Sequence, residues 1–302
     1  FTESDITEIH RWGADQHFIR FDGHGHREHE EPMLDHEDDT ILVYLHQILH
    51  GPVREKNGSP IRYGHLVVDE AQDLSPIELK VLTGTVEKNG AITLAGDTAQ
   101  RLEADNDFED WAHVLGTLGL DHVALSPLKI SYRSTASIMA VAHHVLGPLA
   151  PEEQAEAPRD GVMPQILRFG ARGEAMTFLG DALRDLQARE PTASIGVLGG
   201  RQWQVDHAFA ALERTDVSPL HRVSDFDFSF EPGVELATVR QSKGLEFDYV
   251  ILLDVDADTY PQLDSARHLL HVGLTRAAHQ VWCITVNTPS PLLPDWMPTI
   301  RF

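Results

Sequence analysis

The amino-acid sequence predicts an α/β protein with buried, parallel strands. Short apolar runs rich in β-branched residues, such as residues 66–68 and 249–253, alternate along the chain with longer stretches of helical periodicity. Continuous apolar runs of this length are typical of strands covered on both faces, and their alternation with helices is typical of βαβ units. Polar residues follow several of the runs, where open α/β sheets place their ligand crevice.

Composition limits the class of protein. The chain has 302 residues, of which 42% are hydrophobic, and this is enough for one large or two ordinary domains. A single cysteine excludes a disulfide framework and a thiolate metal cluster, and it favours a cytoplasmic location. No apolar run is long enough to span a membrane. The net charge of −23 argues against a protein that simply coats nucleic acid, but it does not exclude a local basic groove.

The first 36 residues are polar, acidic and rich in histidine, with one candidate strand at residues 17–21. Four histidines are close enough in sequence to chelate a metal ion, but their spacing has no helical register. A flexible loop is therefore the preferred interpretation. Since the sequence does not begin with methionine, we expect it to be a piece of a longer protein.

Periodicity and capping signals predict the elements in order. Residues 37–50 form one apolar stripe and predict a helix that a Gly-Pro pair ends. Ser75, Pro76 and Glu78 form a capping box that predicts a helix to about residue 86. Further strands are predicted at 91–95, 122–125, 166–169, 194–198, 235–239 and 281–286, and further helices at 107–118, 134–146 (capped by Ser134), 172–189, 201–213 and 264–277.

Prolines and acidic residues make residues 147–161 the best candidate for a linker. The alternation of strands and helices restarts after it. The sequence therefore predicts two domains with parallel sheets, residues 1–147 and residues 148–302.

Asp69 and Glu70 directly follow the apolar run 66–68. In that position one carboxylate can hold Mg²⁺ through its water shell, and the other can orient or deprotonate an attacking water. For the dipeptide alone, a strand followed by an acidic turn is the simpler interpretation.

Three other residues have side chains suited to a phosphate site. Gln100, at the end of a predicted strand, can orient water or sense a γ-phosphate. Arg133 and Arg276 can bind phosphate oxygens in a bidentate manner. Each residue taken alone would be assigned to a turn or to a surface ion pair.

Five segments occur in a characteristic order along the chain. They are LVVDEAQD at 66–73, ITLAGDTAQ at 92–100, KISYRS at 129–134, TVRQSKGLEFD at 238–248 and HVGLTRA at 271–277. In this order they resemble motifs II to VI of the UvrD/Rep-type superfamily 1 helicases. The resemblance implies two RecA-like lobes that bind ATP and Mg²⁺ between them and move along single-stranded DNA.

The resemblance also implies roles for individual residues. Asp69 and Glu70 match the Mg²⁺-binding carboxylates, and Glu70 and Gln100 match the residues that act on water. Arg276 lies within the motif that resembles the family's arginine finger, and Arg133 matches its other phosphate-contacting arginine.

Motif V suggests contacts to nucleotide and to nucleic acid. Glu246 resembles the family residue near the nucleotide sugar, although a carboxylate at a helix start is the simpler interpretation, and Gly244 is assigned to the nucleotide with it. Lys243 and Arg240 are assigned to nucleic-acid phosphate. Unwinding members of the family usually carry histidine where this chain has Arg240.

The sequence departs from the family because it contains no Gly-x-x-x-x-Gly-Lys-Ser/Thr phosphate loop. In the family this loop precedes motif II. We therefore expect a C-terminal segment of a longer protein, with an incomplete first lobe and a complete second lobe. A natural homologue that has lost ATPase activity is the alternative.

Two further departures bear on the branch and the function. The short stretch between motifs IV and V resembles the helicase-IV/HelD-like branch, and so do residues 37–50. Some members of that branch bind RNA polymerase. After motif III the base-stacking aromatic residues of unwinding members are replaced by Arg101, Leu102 and Glu103. Two functions stay open: a segment of an ATP-dependent helicase or translocase, or a non-catalytic module that docks on RNA polymerase or a repair complex.

Overall fold

The computed structural model describes residues 38–102, 106, 108, 110–151, 155–224 and 226–302. The predicted strand at 17–21 and the histidine-rich stretch lie outside these ranges. The chain divides into two compact units. Unit 1 contains the described residues up to Val68 and Pro76–Thr93, and unit 2 contains Asp69–Ser75 and Leu94–Phe302. The predicted domains, residues 1–147 and 148–302, stay a prediction.

Unit 1 contains two helices, one strand and all but the last residue of a second strand. These are α1 (Asp38–His50), β1 (Tyr63–Val68), α2 (Pro76–Thr83) and β2 (Val86–Leu94). β1 and β2 pair in a two-stranded sheet, and Gln47 Nε2 of α1 donates a hydrogen bond to the Val81 carbonyl of α2 at 3.0 Å. The predicted helix at 37–50 is confirmed. The side chains of its apolar stripe are 42% to 71% exposed, so the described residues do not cover this apolar face. The stripe consists of Ile41, Leu42, Leu45, Ile48 and Leu49.

Unit 2 is built on a seven-stranded sheet in which every neighbouring pair is parallel. Its strands are β3 (Gln165–Arg168), β4 (Ser194–Gly199), β5 (Leu220–Arg222), β6 (Gly233–Thr238), β7 (Phe247–Leu253), β8 (Ala277–Thr285) and β9 (Thr299–Arg301), in the order β5-β6-β4-β7-β8-β3-β9. The predicted α/β class with parallel strands is confirmed.

Five α-helices of unit 2 accompany this sheet. They are α3 (Trp111–Leu118), α4 (Ala136–Leu146), α5 (Arg172–Arg189), α6 (Gln202–Leu212) and α7 (Asp264–Thr275). Neighbouring residues of a strand point to opposite faces. Accordingly, Leu252 packs in a cluster with residues of α4 and α7, and Ile251 packs in a cluster with residues of α5 and α6. Among the described residues, no helix is long and apolar enough to cross a membrane.

Two sequence predictions in unit 2 are wrong. Residues 122–125 form no strand, because their apolar side chains are exposed and none of the described strands pairs with them. Ser134 does not cap α4, since Thr135 is the N-cap residue and its hydroxyl oxygen accepts a hydrogen bond from the Ile138 amide. The Ser134 hydroxyl instead donates to the Ala277 carbonyl at 2.7 Å and ties the start of α4 to β8.

Cys283 in β8 is fully buried in the cluster that contains α4 and α7. Burial raises the pKa of its thiol to about 12, so the reactive thiolate is absent near neutral pH. We expect iodoacetamide to leave the native chain unmodified under conditions that fully label the chain unfolded in guanidinium. Intact-mass spectrometry gives a direct readout because the sequence has one cysteine. Rapid labelling of the native protein would contradict the burial.

Candidate functional site

The acidic turn, which we define as residues 69–73, lies in unit 2. Asp69 Oδ1 accepts a hydrogen bond from the Glu70 amide at 2.9 Å. Glu70 has a left-handed backbone, with φ 51° and ψ 36°, which is uncommon for a residue with a side chain. A short 3-10 turn, Ala71–Asp73, follows. Asp69 is exposed and Glu70 is half-buried, so both carboxylates remain accessible.

Gln72 connects this turn to a second segment, and sequence analysis did not identify it. Its side chain is fully buried. Nε2 donates a hydrogen bond to Glu70 Oε2 at 2.7 Å, and Oε1 accepts one from the Asp97 amide at 3.0 Å. A primary amide can do both because it carries a donor and an acceptor. The residues after Asp69 and Glu70 give no local signal that this side chain is buried.

The second segment is a 3-10 turn, Thr98–Gln100, capped by Asp97. Asp97 Oδ2 accepts a hydrogen bond from Gln100 Nε2 at 2.8 Å, and Gln100 Oε1 accepts one from Arg276 Nη2 at 2.5 Å. The sequence placed Gln100 at a phosphate site but did not identify Asp97 as its partner. The structure thus contains a continuous series of hydrogen-bonded residues, which we call the polar chain: Glu70, Gln72, Asp97, Gln100 and Arg276.

Arg276 follows α7 directly and is fully buried. Its Nε donates to the Val272 carbonyl at 3.2 Å, and its Nη1 donates to the Leu245 carbonyl at 2.9 Å. Burial lowers the pKa of Arg276 to about 10, and the nearby positive charge of Arg133 contributes to this decrease. Carboxylates act in the opposite direction, and Glu70 has the largest effect among them. The guanidinium is still protonated at neutral pH and supplies a fixed positive charge.

The other predicted arginine, Arg133, pairs with a residue assigned to the nucleotide. Its Nε donates to Glu246 Oε2 at 2.9 Å, and both side chains are exposed. Both groups remain accessible because they are exposed. An exposed ion pair of this kind contributes little stability. Gly244, two residues earlier, has a φ of 78°, a left-handed conformation that glycine adopts readily.

Lys243 and Arg240 contact protein groups within unit 2. Lys243 Nζ forms a close ion pair with Asp73 and lies 3.8 Å from Glu70 Oε2, and its side chain is mostly buried. Asp73 was not among the predicted site residues. Arg240 Nη1 donates to the Leu102 carbonyl at 3.3 Å. The structure therefore places Lys243 against the acidic turn.

The acidic turn can be tested for its fit to Mg²⁺. In the described part of the chain, no group of three or more histidine, cysteine, aspartate or glutamate side chains could hold a metal ion. Mg²⁺ does not need such a cluster, because it keeps several waters and takes one or two carboxylates together with phosphate oxygens. The accessible carboxylates of Asp69 and Glu70 fit that requirement.

Helix α7 contacts both the second turn and α4. The His268 ring donates from Nδ1 to the Ala99 carbonyl at 2.9 Å, and the His271 ring donates from Nδ1 to the Ala142 carbonyl at 3.1 Å. Arg267 Nη1 donates to the Val145 carbonyl at 2.7 Å. These contacts fix α7, and hence Arg276, relative to both neighbours.

A comparison with protein families matches the part of the chain that carries motifs V and VI. Residues 233–284 match the family model of the UvrD-like helicase C-terminal domain. This segment is similar to a UvrD-like helicase C-terminal domain. It contains Lys243, Glu246 and Arg276, so the resemblance to UvrD-type helicases inferred from the motifs is confirmed here. The match does not separate the HelD-like branch from the others.

Solved structures also match the chain. One is the C-terminal domain of a possible DNA helicase from Lactobacillus plantarum WCFS1, with 23% sequence identity and a TM-score of 0.45. The match covers 54% of this chain and 91% of that chain. We draw no conclusion about function from a likeness at this level. No curated protein matches the chain.

His271 makes stability depend on pH, because burial lowers its pKa below the ordinary value. The unfolded chain then binds this proton more readily than the folded chain. The stability supplied by the neutral ring is therefore present above the ordinary pKa of histidine and is lost as the pH falls below it. Urea unfolding at several pH values should show a smaller acid-induced loss for His271→Gln than for wild type. The exposed His279→Gln variant is the control and should keep the full loss; equal pH dependence in all three proteins would contradict the assignment.

Gln72 can be tested through stability. Gln72→Leu keeps a similar volume but removes the hydrogen bonds to the Asp97 amide and to the Glu70 carboxylate. At about 0.5–1.5 kcal/mol for each bond, the two losses together cost about 1–3 kcal/mol. We expect chemical unfolding to show a decrease of this size, whereas Gln262→Leu, at an exposed site just before α7, should change the free energy of unfolding little. A Gln72→Leu protein as stable as wild type would contradict a structural role for the amide.

Proposed function

We propose that the chain is a segment of an ATP-dependent superfamily 1 helicase or translocase that acts on single-stranded DNA or remodels a nucleic-acid complex. The observation that carries this proposal is the polar chain from Glu70 to Arg276 within unit 2. It joins a carboxylate, an amide and a guanidinium from three segments far apart in sequence. Nucleoside triphosphate hydrolysis uses this combination to orient water and to stabilise charge on phosphate.

Each group has a role in the proposed reaction. Glu70 orients or deprotonates the attacking water, and Gln100 helps to position it. Asp69 and Glu70 would hold Mg²⁺, which when bound neutralises charge on the phosphates. Arg133 and Arg276 bind the phosphate oxygens on which negative charge develops.

The burial of Arg276 suits this role. Its charge is already desolvated, and four protein oxygens fix its orientation. A donor fixed in this way needs little reorganisation when charge develops on the substrate. Its hydrogen bond to Gln100 keeps the guanidinium beside the residue that positions the water.

The segment around motif V would bind the nucleotide sugar and the phosphates of the single strand. Glu246 and Gly244 are proposed to lie near the nucleotide sugar, and Arg240 and Lys243 are proposed to contact phosphates of the single strand. Lys243 already pairs with Asp73 and Glu70, so a nucleic-acid phosphate would compete with these carboxylates for its ammonium group.

The phosphate loop itself is proposed to come from an upstream part of a longer parent protein. Such a loop supplies an amide cradle and a lysine that hold the β- and γ-phosphates. The sequence of 302 residues contains no such motif. We therefore expect no measurable ATP hydrolysis by this chain alone.

The decisive assay measures phosphate release by the longer protein with and without single-stranded DNA. Arg276→Ala and Glu70→Gln should each reduce turnover strongly, and loss of an arginine finger typically costs about 10³–10⁵ in rate. The matched control is Arg189→Ala, which removes an exposed arginine of α5 and should leave turnover unchanged. Unchanged turnover in the Arg276→Ala protein, or robust turnover by residues 1–302 alone, would contradict the proposed site.

A second function is a non-catalytic module that docks on RNA polymerase or a repair complex. The pairing of Lys243 with the acidic turn favours it, because that contact neutralises the carboxylates without a metal ion. The net charge of −23 also disfavours close approach to nucleic acid. Absence of turnover in the longer protein, with binding to purified RNA polymerase that Glu70→Gln does not weaken, would favour this function.

A further inference from the structure

The segment between β5 and β6 displays two phenylalanine rings. We call residues 224–231, which are described except for residue 225, the phenylalanine loop. Phe226 is 68% exposed and Phe230 is 80% exposed. Phe228, between them, packs partly buried against the core, with its ring centroid 6.5 Å from that of Phe247. One ring therefore anchors the loop while the other two face solvent.

The backbone at both exposed rings is in an unfavourable conformation. The φ angle is 62° at Phe226 and 56° at Phe230, in the left-handed region that bulky residues avoid. Such a conformation costs on the order of 1–3 kcal/mol per residue and persists only where the surroundings impose it. Since neither ring is buried, core packing of these side chains does not offset the cost.

Hydrogen bonds to two carboxylates impose this conformation. Asp227 Oδ1 accepts a hydrogen bond from the Ser224 amide at 2.6 Å and closes the first half of the loop. Glu235 of β6 is almost fully buried and accepts hydrogen bonds from both the amide and the hydroxyl of Ser229. The His221 ring contacts the other oxygen of the same carboxylate at 2.7 Å. The loop is therefore a fixed support for its two outward rings.

The charge of the loop limits what can bind there. Its described acidic residues, Asp227 and Glu231, are both exposed, and its sequence, SDFDFSFE, contains no basic residue. An acidic surface repels nucleic-acid phosphates, and it also repels a second copy of a chain with net charge −23. A segment with apolar side chains flanked by lysine or arginine complements both the rings and the carboxylates.

We infer that the phenylalanine loop is a docking surface for a basic, apolar segment of a partner protein. Phe226 and Phe230 supply the apolar contact, as exposed aromatic residues do at the centres of interfaces. The carboxylates add an attraction that salt weakens. β5 is an edge strand of the sheet, so the loop lies at a border of unit 2 that a partner can reach. This surface does not depend on the proposed ATPase activity.

The test uses the double variant Phe226→Asn/Phe230→Asn. Asparagine tolerates the left-handed region, so the rings are removed while the backbone strain is relieved. The probe is a fluorescent amphipathic peptide of lysine and leucine, and binding is followed by anisotropy at increasing salt. The double variant should bind at least about tenfold more weakly, with an unchanged or higher melting temperature.

Two further variants separate ring contact from charge. Glu231→Lys keeps both rings and should weaken binding and flatten its salt dependence. Leu128→Asn removes a 91% exposed leucine outside the loop and should change nothing. If Leu128→Asn weakens binding as much as the double variant, the inference is overturned, because any exposed apolar residue then suffices.

Other outcomes would also overturn the inference. Failure of the lysine–leucine peptide to bind would do so, as would equal binding of a glutamate–leucine peptide. Binding of oligothymidine that the double variant loses would identify a nucleic-acid surface instead. Self-association of the wild-type chain that the double variant abolishes, measured by analytical ultracentrifugation, would identify a second copy as the occupant.

Discussion

The candidate site depends on the need to compensate a buried positive charge. Removing a guanidinium from water is costly unless hydrogen bonds and nearby negative charge replace the lost hydration. Arg276 obtains these bonds from the Leu245 and Val272 carbonyls and from the Gln100 and Thr275 side chains. These partners belong to the turn before β7, to α7 and to the second turn. Because one side chain must satisfy all its donors at once, these three segments are held in one arrangement.

Glutamine side chains extend this arrangement without adding charge. Gln100 lies between the Asp97 carboxylate and the Arg276 guanidinium, and Gln72 lies between the Glu70 carboxylate and the Asp97 amide. A neutral amide that donates at one end and accepts at the other can connect such groups, whereas a hydrocarbon side chain cannot. Glu70 and Arg276 therefore belong to one hydrogen-bonded system although no direct bond joins them.

Sequence analysis predicted the interior strands β4 and β7 of unit 2 because each contains a continuous apolar run, whose burial follows from its composition. It missed β5 and β9, each of three residues with little apolar burial, and it assigned a strand to residues 122–125 because an apolar run looks the same with or without a pairing partner.

The candidate site shows the same division between local pattern and long-range contact. Glu70, Gln100 and Arg276 could be identified from motifs, but Gln72, Asp73 and Asp97 could not. Their roles depend on partners that are distant in sequence, 25 residues away for Gln72 and Asp97 and 170 residues away for Asp73 and Lys243. No local pattern specifies which polar side chain such a contact will bury.

The attachment of α7 along its length has a mechanical consequence. The helix is bonded to α4 through Arg267 and His271, to the second turn through His268, and it ends at Arg276. A helix of twelve residues is about 18 Å long and stiff over that length. The bonds to α4 and to the second turn all start from this one helix, so a displacement of α7 would strain them together. α4 and the second turn therefore share α7 as a common mechanical support.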